Sequence, residues 1–211
     1  MKKIILSLTA LLSIAFANAQ SKSEGFSKGS FYLTGGIGFT STDDQGTSAS
    51  SFKFAPAASY FVSNNFAIGA KLGINSTKST EYGVDVPQLG YLDFGGDALE
   101  VKENTTSFGV FGRYYFTPSS KFSVFGNAGL DYSSTKWTVD GSTADDKFNT
   151  IEFAVSPGVN YFLSNHFSME AQFGKLGYSS AKWSTDGAKA TSTFGLDLDL
   201  STISFGLNYK F

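Results

Sequence analysis

Cysteine is absent from this chain of 211 residues, and histidine and proline are scarce, with one and four residues. Without cysteine no disulfide can stabilise the fold, so stability has to come from a hydrogen-bonded ladder or a packed core. Charged residues make up 16% of the chain, and the formal net charge is −2. No apolar run after residue 20 approaches the roughly 20 residues that a membrane-spanning helix needs. These absences exclude a helical membrane protein.

The first 19 residues have the pattern of a secretory signal peptide. Lys2 and Lys3 precede an apolar run over residues 4–16, and small residues at 17 and 19 fit a cleavage site before Gln20. Removal of the two lysines leaves 14 basic and 18 acidic residues, a net charge of about −4, which argues against a nucleic-acid partner because such a partner requires a basic face. We predict a signal peptide over residues 1–19 and one mature domain over residues 20–211.

The mature chain is rich in alternating segments typical of β-strands. Aromatic residues make up 16% of the chain, and residues 203–211 alternate strictly between large apolar and small or polar side chains. A period of two indicates a strand with one apolar face. The same alternation predicts eight strands, over residues 30–40, 51–62, 65–75, 105–116, 122–133, 150–163, 167–178 and 200–211.

The connections between the predicted strands alternate in length. Short turn-forming segments occupy residues 63–64, 117–121 and 164–166, whereas residues 41–50, 76–104, 134–149 and 179–199 form long polar connections. Short turns at one rim and long loops at the other are typical of outer-membrane barrels. The pattern therefore favours an all-β fold, an eight-stranded antiparallel up-and-down transmembrane β-barrel with short periplasmic turns and long extracellular loops.

The residues on the face opposite the apolar stripe indicate which face of the barrel wall points towards lipid. Small residues suit the narrow lumen, so the large apolar residues are expected to face lipid. An eight-stranded barrel is only just wide enough for side chains to fill it, and this second stripe is mostly glycine, alanine, serine and asparagine. It also carries seven charged residues, namely Lys53, Lys71, Arg113, Asp131, Glu152, Glu170 and Lys210. We interpret them as a balanced polar network that plugs the lumen in two layers, the lower one containing Arg113 and Glu170 near Lys210. A proton or ion path is the alternative interpretation.

Aromatic side chains cluster beside the short turns. Amphipathic rings prefer the membrane–water interface, so these positions predict an aromatic girdle on the periplasmic side. The girdle comprises Tyr60, Tyr114, Phe116, Phe122, Tyr161, Phe167, Tyr209 and Phe211.

Strand count, loop asymmetry and the terminal Tyr209-Lys210-Phe211 resemble the small eight-stranded outer-membrane β-barrel family, which includes OmpA/OmpX-type barrels and the porin-family β-barrel proteins of Bacteroidota. The terminal residues are similar to the signal that the barrel-assembly machinery recognises during insertion. The resemblance implies an outer-membrane location, with membrane lipid and lipopolysaccharide as surroundings, and no cofactor.

Barrel enzymes of similar topology use a histidine near the outer leaflet, whereas His166 falls in a predicted periplasmic turn. We therefore expect no catalysis. The predicted role is structural, in envelope integrity, or adhesive, through acidic extracellular loops and a surface ligand that is unknown. A solvated acidic surface is favoured over a Ca²⁺ or Mg²⁺ site in these loops. The alternatives are a narrow pore for ions or small solutes and a soluble lipocalin-like binding barrel.

Overall fold

The computed structural model describes residues 24–44, 47–81, 83–86, 90–93, 95, 99–140, 142–143, 145–197 and 203–211. The predicted signal peptide lies outside these residues. None of the described residues belongs to a helix long and apolar enough to cross a membrane.

Eight long strands form the wall, and several are interrupted. In chain order, strands 1 to 8 are Phe31–Gly35 with Ile37–Asp44, Thr47–Phe54 with Ala57–Phe61, Phe66–Glu81, Leu99–Tyr115, Phe122–Val139, Phe148–Phe162, Phe167–Gln172 with Lys175–Trp183, and Thr191–Asp197 with Ser204–Lys210. A small hairpin, Gly83–Val86 with Gly90–Asp93, lies between strands 3 and 4, and Ser142–Thr143 pairs with the end of strand 5.

Antiparallel pairing joins each strand to the next, and the ring closes between the first and the last. Leu33 of strand 1 pairs with Tyr209 of strand 8 on one side and with Ala58 of strand 2 on the other. Closure into a ring removes the free sheet edges of the first and last strands where these two strands pair. The predicted eight-stranded antiparallel barrel is confirmed.

The long connections predicted from the sequence contain much more strand than expected. Strands 3 and 4 stay paired from Ile74–Thr106 up to Glu81–Leu99, and strands 1 and 2 stay paired up to Asp44–Thr47. The predicted boundaries at residues 40, 75 and 105 were therefore wrong. Above Ile74 the outward positions are polar, so the alternation that marks a strand disappears although the ladder continues.

Strand 7 contains a bulge at Phe173 and Gly174. Gly158 pairs with Gln172, yet Val155 pairs with Leu176, so strand 7 carries one residue more than strand 6 between these two pairs. Gly174 has φ of 64°, a conformation that favours glycine. The bulge reverses which residues face outward along the upper half of strand 7.

The periplasmic end of the lumen is filled by aromatic rings. This aromatic core consists of Phe26, Tyr32, Phe61, Tyr115, Phe125 and Phe162, all almost fully buried. The prediction that small residues dominate the inner face was therefore wrong at this level. Pairs of adjacent aromatics at the turns place one ring on each face of the wall, so that Tyr114 is exposed while Tyr115 is buried.

Glycines make the room that the inward rings need. A Cβ atom on Gly158 would lie 2.8 Å from the carbonyl oxygen of Ala171 and would overlap the ring of Phe125. A Cβ atom on Gly69 would likewise overlap the ring of Phe111. Glycine in the wall therefore permits a large ring in a narrow lumen.

Gly158→Ala is expected to destabilise the barrel by about 1–3 kcal/mol, because overpacking displaces Phe125 or the backbone of Ala171. The matched control is Gly126→Ala on strand 5, where an added Cβ meets no atom within 4 Å. Urea unfolding in detergent measures both variants. Equal stability of the two variants would contradict this account of the wall glycines.

Candidate functional site in the barrel lumen

The segment 24–30 closes the periplasmic mouth by inserting Phe26 among the rings of the aromatic core. The Phe26 ring lies 4.8 Å from the rings of Tyr32, Phe61 and Phe162, measured between centroids. Its backbone N–H donates to the carbonyl oxygen of Pro118 at 2.6 Å. We call this arrangement, segment 24–30 with the aromatic core, the periplasmic plug.

Gly25 and Lys210 hold the plug in place. Gly25 has φ of 101°, and a Cβ atom there would come within 2.7 Å of the backbone between Pro118 and Ser119. The ammonium group of Lys210 donates to the carbonyl oxygen of Gly25 at 2.7 Å and lies 5.3 Å from the ring centroid of Phe162. The structure thus places Lys210 at the plug, on the periplasmic side of the lower polar layer.

The lower polar layer is built around the ion pair of Arg113 and Glu170. Arg113 Nη1 lies 2.6 Å from Glu170 Oε2, and the two side chains are only 5% and 4% exposed. Arg113 Nε also donates to Asn127 Oδ1 at 3.2 Å, and its guanidinium lies 4.2 Å from the ring centroid of Phe125. A buried charge is stable only when it is paired and hydrogen-bonded, and this pair meets that condition.

Amide and hydroxyl groups extend this layer across the lumen. Asn208 Nδ2 donates to Glu170 Oε2 at 2.9 Å and to Asn160 Oδ1 at 3.1 Å. Ser168 Oγ donates to Asn160 Oδ1 at 2.9 Å, and Thr34 Oγ1 donates to Asn208 Oδ1 at 2.6 Å. The network links strands 1, 6, 7 and 8, so it cross-braces the wall at the point where the ring closes.

The upper polar layer consists of two ion pairs that are only partly buried. Lys71 Nζ lies 2.9 Å from Asp131 Oδ2, and Lys175 Nζ lies 2.9 Å from Glu152 Oε2. Lys175 was missed in the sequence because uninterrupted alternation in strand 7 would point it outward. The bulge at Gly174, signalled only by a weakened alternation, turns it inward.

A cavity of about 570 Å³ lies above the lower polar layer. Its wall includes Arg113, Glu170, Lys71, Asp131 and Lys53. The seven charged residues selected from the sequence therefore lie at three levels: Lys210 at the plug, Arg113 with Glu170 above it, and the other four around the upper lumen.

The aromatic residues selected for the girdle lie at the strand ends beside the short turns. Exposed fractions range from 38% for Tyr209 to 63% for Phe116, and only Phe211 is less exposed. Tyr209 and Phe211 contact each other edge to face, with ring centroids 4.9 Å apart. Rings at this level would sit among lipid headgroups.

His166 lies in the turn between strands 6 and 7, on the periplasmic side. Its Nδ1 is 2.9 Å from the carbonyl oxygen of Lys210, and its ring stacks on Tyr209. These contacts fix the end of the chain against the turn. No group of three potential metal ligands occurs in the part of the chain that the structure describes.

A second aromatic cluster lies at the extracellular end of strands 5, 6 and 7. The ring centroids of Trp137 and Trp183 are 5.3 Å apart, and Phe148 lies 5.3 Å from Trp183. The rings of the two tryptophans pack on each other and on Phe148, across three neighbouring strands.

Arg113→Met is expected to lower the free energy of unfolding by about 3–5 kcal/mol, because it leaves the carboxylate of Glu170 buried without its partner. Adding Glu170→Gln should restore part of the loss. Lys78→Met is the control, since it breaks the exposed pair of Lys78 with Glu100, which is worth about 1 kcal/mol or less. The temperature at which each variant loses its folded gel mobility measures the effect; an unchanged transition for Arg113→Met would refute the network.

A family model described as the outer membrane protein beta-barrel domain matches residues 7–211 of this chain. The search of curated proteins found no match to this chain. Among solved structures, OprG from Pseudomonas aeruginosa is 18% identical, with 90% of this chain and 99% of OprG covered and a TM-score of 0.44. Neisserial surface protein A is 18% identical, with 88% of this chain and 99% of that protein covered and a TM-score of 0.45.

A major outer membrane protein from Thermus thermophilus is 12% identical, with 86% of this chain and 98% of that chain covered and a TM-score of 0.48. The family assignment depends on the family model, which spans all eight strands. The chain therefore belongs to the outer membrane protein β-barrel domain family, and it resides in the outer membrane.

Proposed function

We propose that this protein is a non-enzymatic, closed barrel that serves as a rigid membrane anchor and presents extended β-hairpins at the cell surface. Its work is structural, in envelope integrity, or adhesive, through those hairpins. Its immediate surroundings are outer-membrane lipid and lipopolysaccharide, and the barrel-assembly machinery inserts it.

The periplasmic plug is the observation that carries this proposal. Rings from five barrel strands and Phe26 fill the lumen beside the short turns, and the buried pair of Arg113 and Glu170 covers them. A pore would need a continuous aqueous path at this level, where a packed aromatic core instead excludes water. This packing supports a non-conducting barrel over the narrow pore. The outer-membrane location removes the soluble lipocalin-like alternative.

The extended strands support a role at the surface. The apolar outer stripe of strand 3 ends at Ile74, yet its pairing with strand 4 continues for seven more residues to Glu81. At about 3.4 Å per residue, this adds roughly 24 Å of paired strand above the apolar band. A hydrogen-bonded hairpin holds its tip in a defined position, which favours recognition by preorganisation.

The charge of the hairpins fits a solvated contact surface. Carboxylates on the described upper segments include Asp43, Glu103, Asp140, Asp145 and Asp186. Part of this charge is balanced within the hairpins, as in the pair of Lys78 and Glu100 at 2.6 Å. The single histidine stays on the periplasmic side, which argues against the histidine-based chemistry of barrel enzymes.

The second extracellular hairpin is formed by the upper parts of strands 3 and 4. Shortening this second hairpin should abolish surface adhesion and leave the barrel folded. Lys78 and Lys102 are paired, so residues 79–101 can be replaced by Asn-Gly, a two-residue turn that fits between antiparallel strands. The control shortens the hairpin of strands 1 and 2 in the same way, replacing residues 43–48 between the paired Thr42 and Ala49; it removes a much shorter segment and leaves most of the presented surface in place.

The measurement is the settling rate of a non-aggregating Gram-negative host that displays each variant, together with single-channel recording of the purified wild type. We expect faster settling with the wild type and the control, no gain with the shortened second hairpin, and no conductance steps. Absence of settling with the wild type would contradict the adhesive role, and regular conductance steps would contradict the closed barrel.

A further inference from the structure

Among the described residues, strands 1 and 8 pair only near the periplasmic end of the seam; residues 198–202 of strand 8 lie outside the described part of the chain. The ladder runs from Tyr32–Lys210 to Gly35–Leu207 and stops there. The same register would place Ile37 opposite Phe205 and Phe39 opposite Ile203. All four residues belong to the described part of the chain, and neither pair forms: Ile37 and Phe39 pair only with strand 2, and Phe205 pairs only with strand 7.

Side chains beside the open seam are less covered than equivalent ones elsewhere on the wall. Ile37, Phe39 and Phe205 are 79%, 74% and 71% exposed. Outward residues at comparable height on fully paired strands, Phe108 and Phe153, are 52% and 51% exposed. Ile203, the fourth seam residue, is 37% exposed, so the loss of cover concerns Ile37, Phe39 and Phe205.

The open seam lies within the apolar band of the wall. The outward stripe of strand 1 includes Leu33, Ile37 and Phe39 and becomes polar at Ser41, so Ile37 and Phe39 occupy the half nearer the cell surface. Backbone polar groups at this depth need a partner, and irregular backbone is tolerated there only where it lines a cavity. The seam meets that condition because the lumen cavity reaches it.

The cavity wall includes Gly36, Gly38, Ser204 and Gly206 on the two sides of the seam, together with the seam residues Ile37 and Phe205. Gly38 leaves free space: an added Cβ would meet only the Cβ of Lys53, at 3.7 Å. The passage from lumen to lipid is therefore bordered by residues without large inward side chains.

One lysine in the wall of this cavity has no carboxylate partner among the described residues. The wall carries three cations and two carboxylates, and the adjoining part of the lumen adds Lys175, Glu152 and Asp197. Arg113 pairs with Glu170, and Lys71 pairs with Asp131. Lys53 forms no ion pair with any residue that the structure describes, and it lies next to the seam because it pairs with Gly38.

We infer that the open seam is a binding site for a single-chain amphiphile with an anionic headgroup. The headgroup lies in the lumen against Lys53 and accepts hydrogen bonds from its ammonium group. The acyl chain leaves between Ile37 and Phe205 and lies along the apolar outer face. A volume of about 570 Å³ is ordinary for a small-molecule site.

Dodecanoate is the probe, added to the full mature barrel in phosphatidylcholine nanodiscs, with empty nanodiscs as the blank. We expect one dodecanoate per barrel by native mass spectrometry. Lys53→Ala should weaken binding about tenfold, because a charged hydrogen bond is lost, whereas Lys53→Arg should keep it. Gly38→Phe should block the passage and abolish binding while the barrel keeps its folded gel mobility.

Two controls separate this site from general partitioning. Lys136→Ala, on the far side of the barrel, should bind dodecanoate as the wild type does, and dodecyltrimethylammonium should not bind. Equal binding by wild type and Lys53→Ala, or equal binding of the cationic probe, would overturn the proposal. Loss of dodecanoate in nanodiscs containing phosphatidylglycerol would assign the site to a two-chain membrane lipid instead, and a dimer closed through the seam would assign it to a second copy of the chain.

Discussion

Closure of the backbone ladder is the constraint on which the rest of this structure depends. In lipid each unpaired amide or carbonyl group is costly, so a chain of strands must form a ring. The pairing of Leu33 with Tyr209 makes the ring, and the cross-braces of Asn208 to Glu170 and Asn160 lie just inside that junction. The ring is thus reinforced where its two ends meet, and above that junction the described residues of strands 1 and 8 that border the lumen cavity are not paired with each other.

A ring of eight strands then dictates what the lumen can hold. The interior is narrow, so large rings fit beside small residues, as Phe125 does opposite Gly158 and Phe61 does opposite Ala67. The same narrowness brings Arg113 within 2.6 Å of Glu170, and burial makes this pairing obligatory. Towards the surface the ion pairs become more exposed, and the lumen widens into a cavity. The barrel is therefore solid at its periplasmic end and hollow above.

Much of the fold could be predicted from the two-residue alternation of large apolar with small or polar side chains. Alternation located all eight strands, and the small residues of the inner stripe identified which face meets lipid. The upper boundaries failed because polar side chains such as Ser76, Lys78 and Thr80 hide a ladder that continues above the membrane. Phe26 could not be assigned either, since it precedes the first strand and follows no period.

The charged lumen was only partly visible in the sequence. Counting alternate inward and outward positions along each strand selected Arg113, Glu170, Lys71 and Asp131. The structure joins these four residues in two ion pairs. Lys175 was not selected, because a one-residue bulge at Gly174 exchanges the inward and outward positions of strand 7. Counting along the strand does not anticipate such a bulge. The open seam depends on where pairing stops between the first and last strands, which a pattern within one strand does not encode.

Fractionation combined with gel mobility tests the closed outer-membrane barrel most directly. Membranes are extracted with detergent, and samples are run with and without boiling. The account predicts a band in the outer-membrane fraction that shifts on boiling, because a closed ladder resists detergent until heat opens it. A band in the soluble fraction that does not shift would contradict it, since the large apolar side chains would then have to lie inside the barrel.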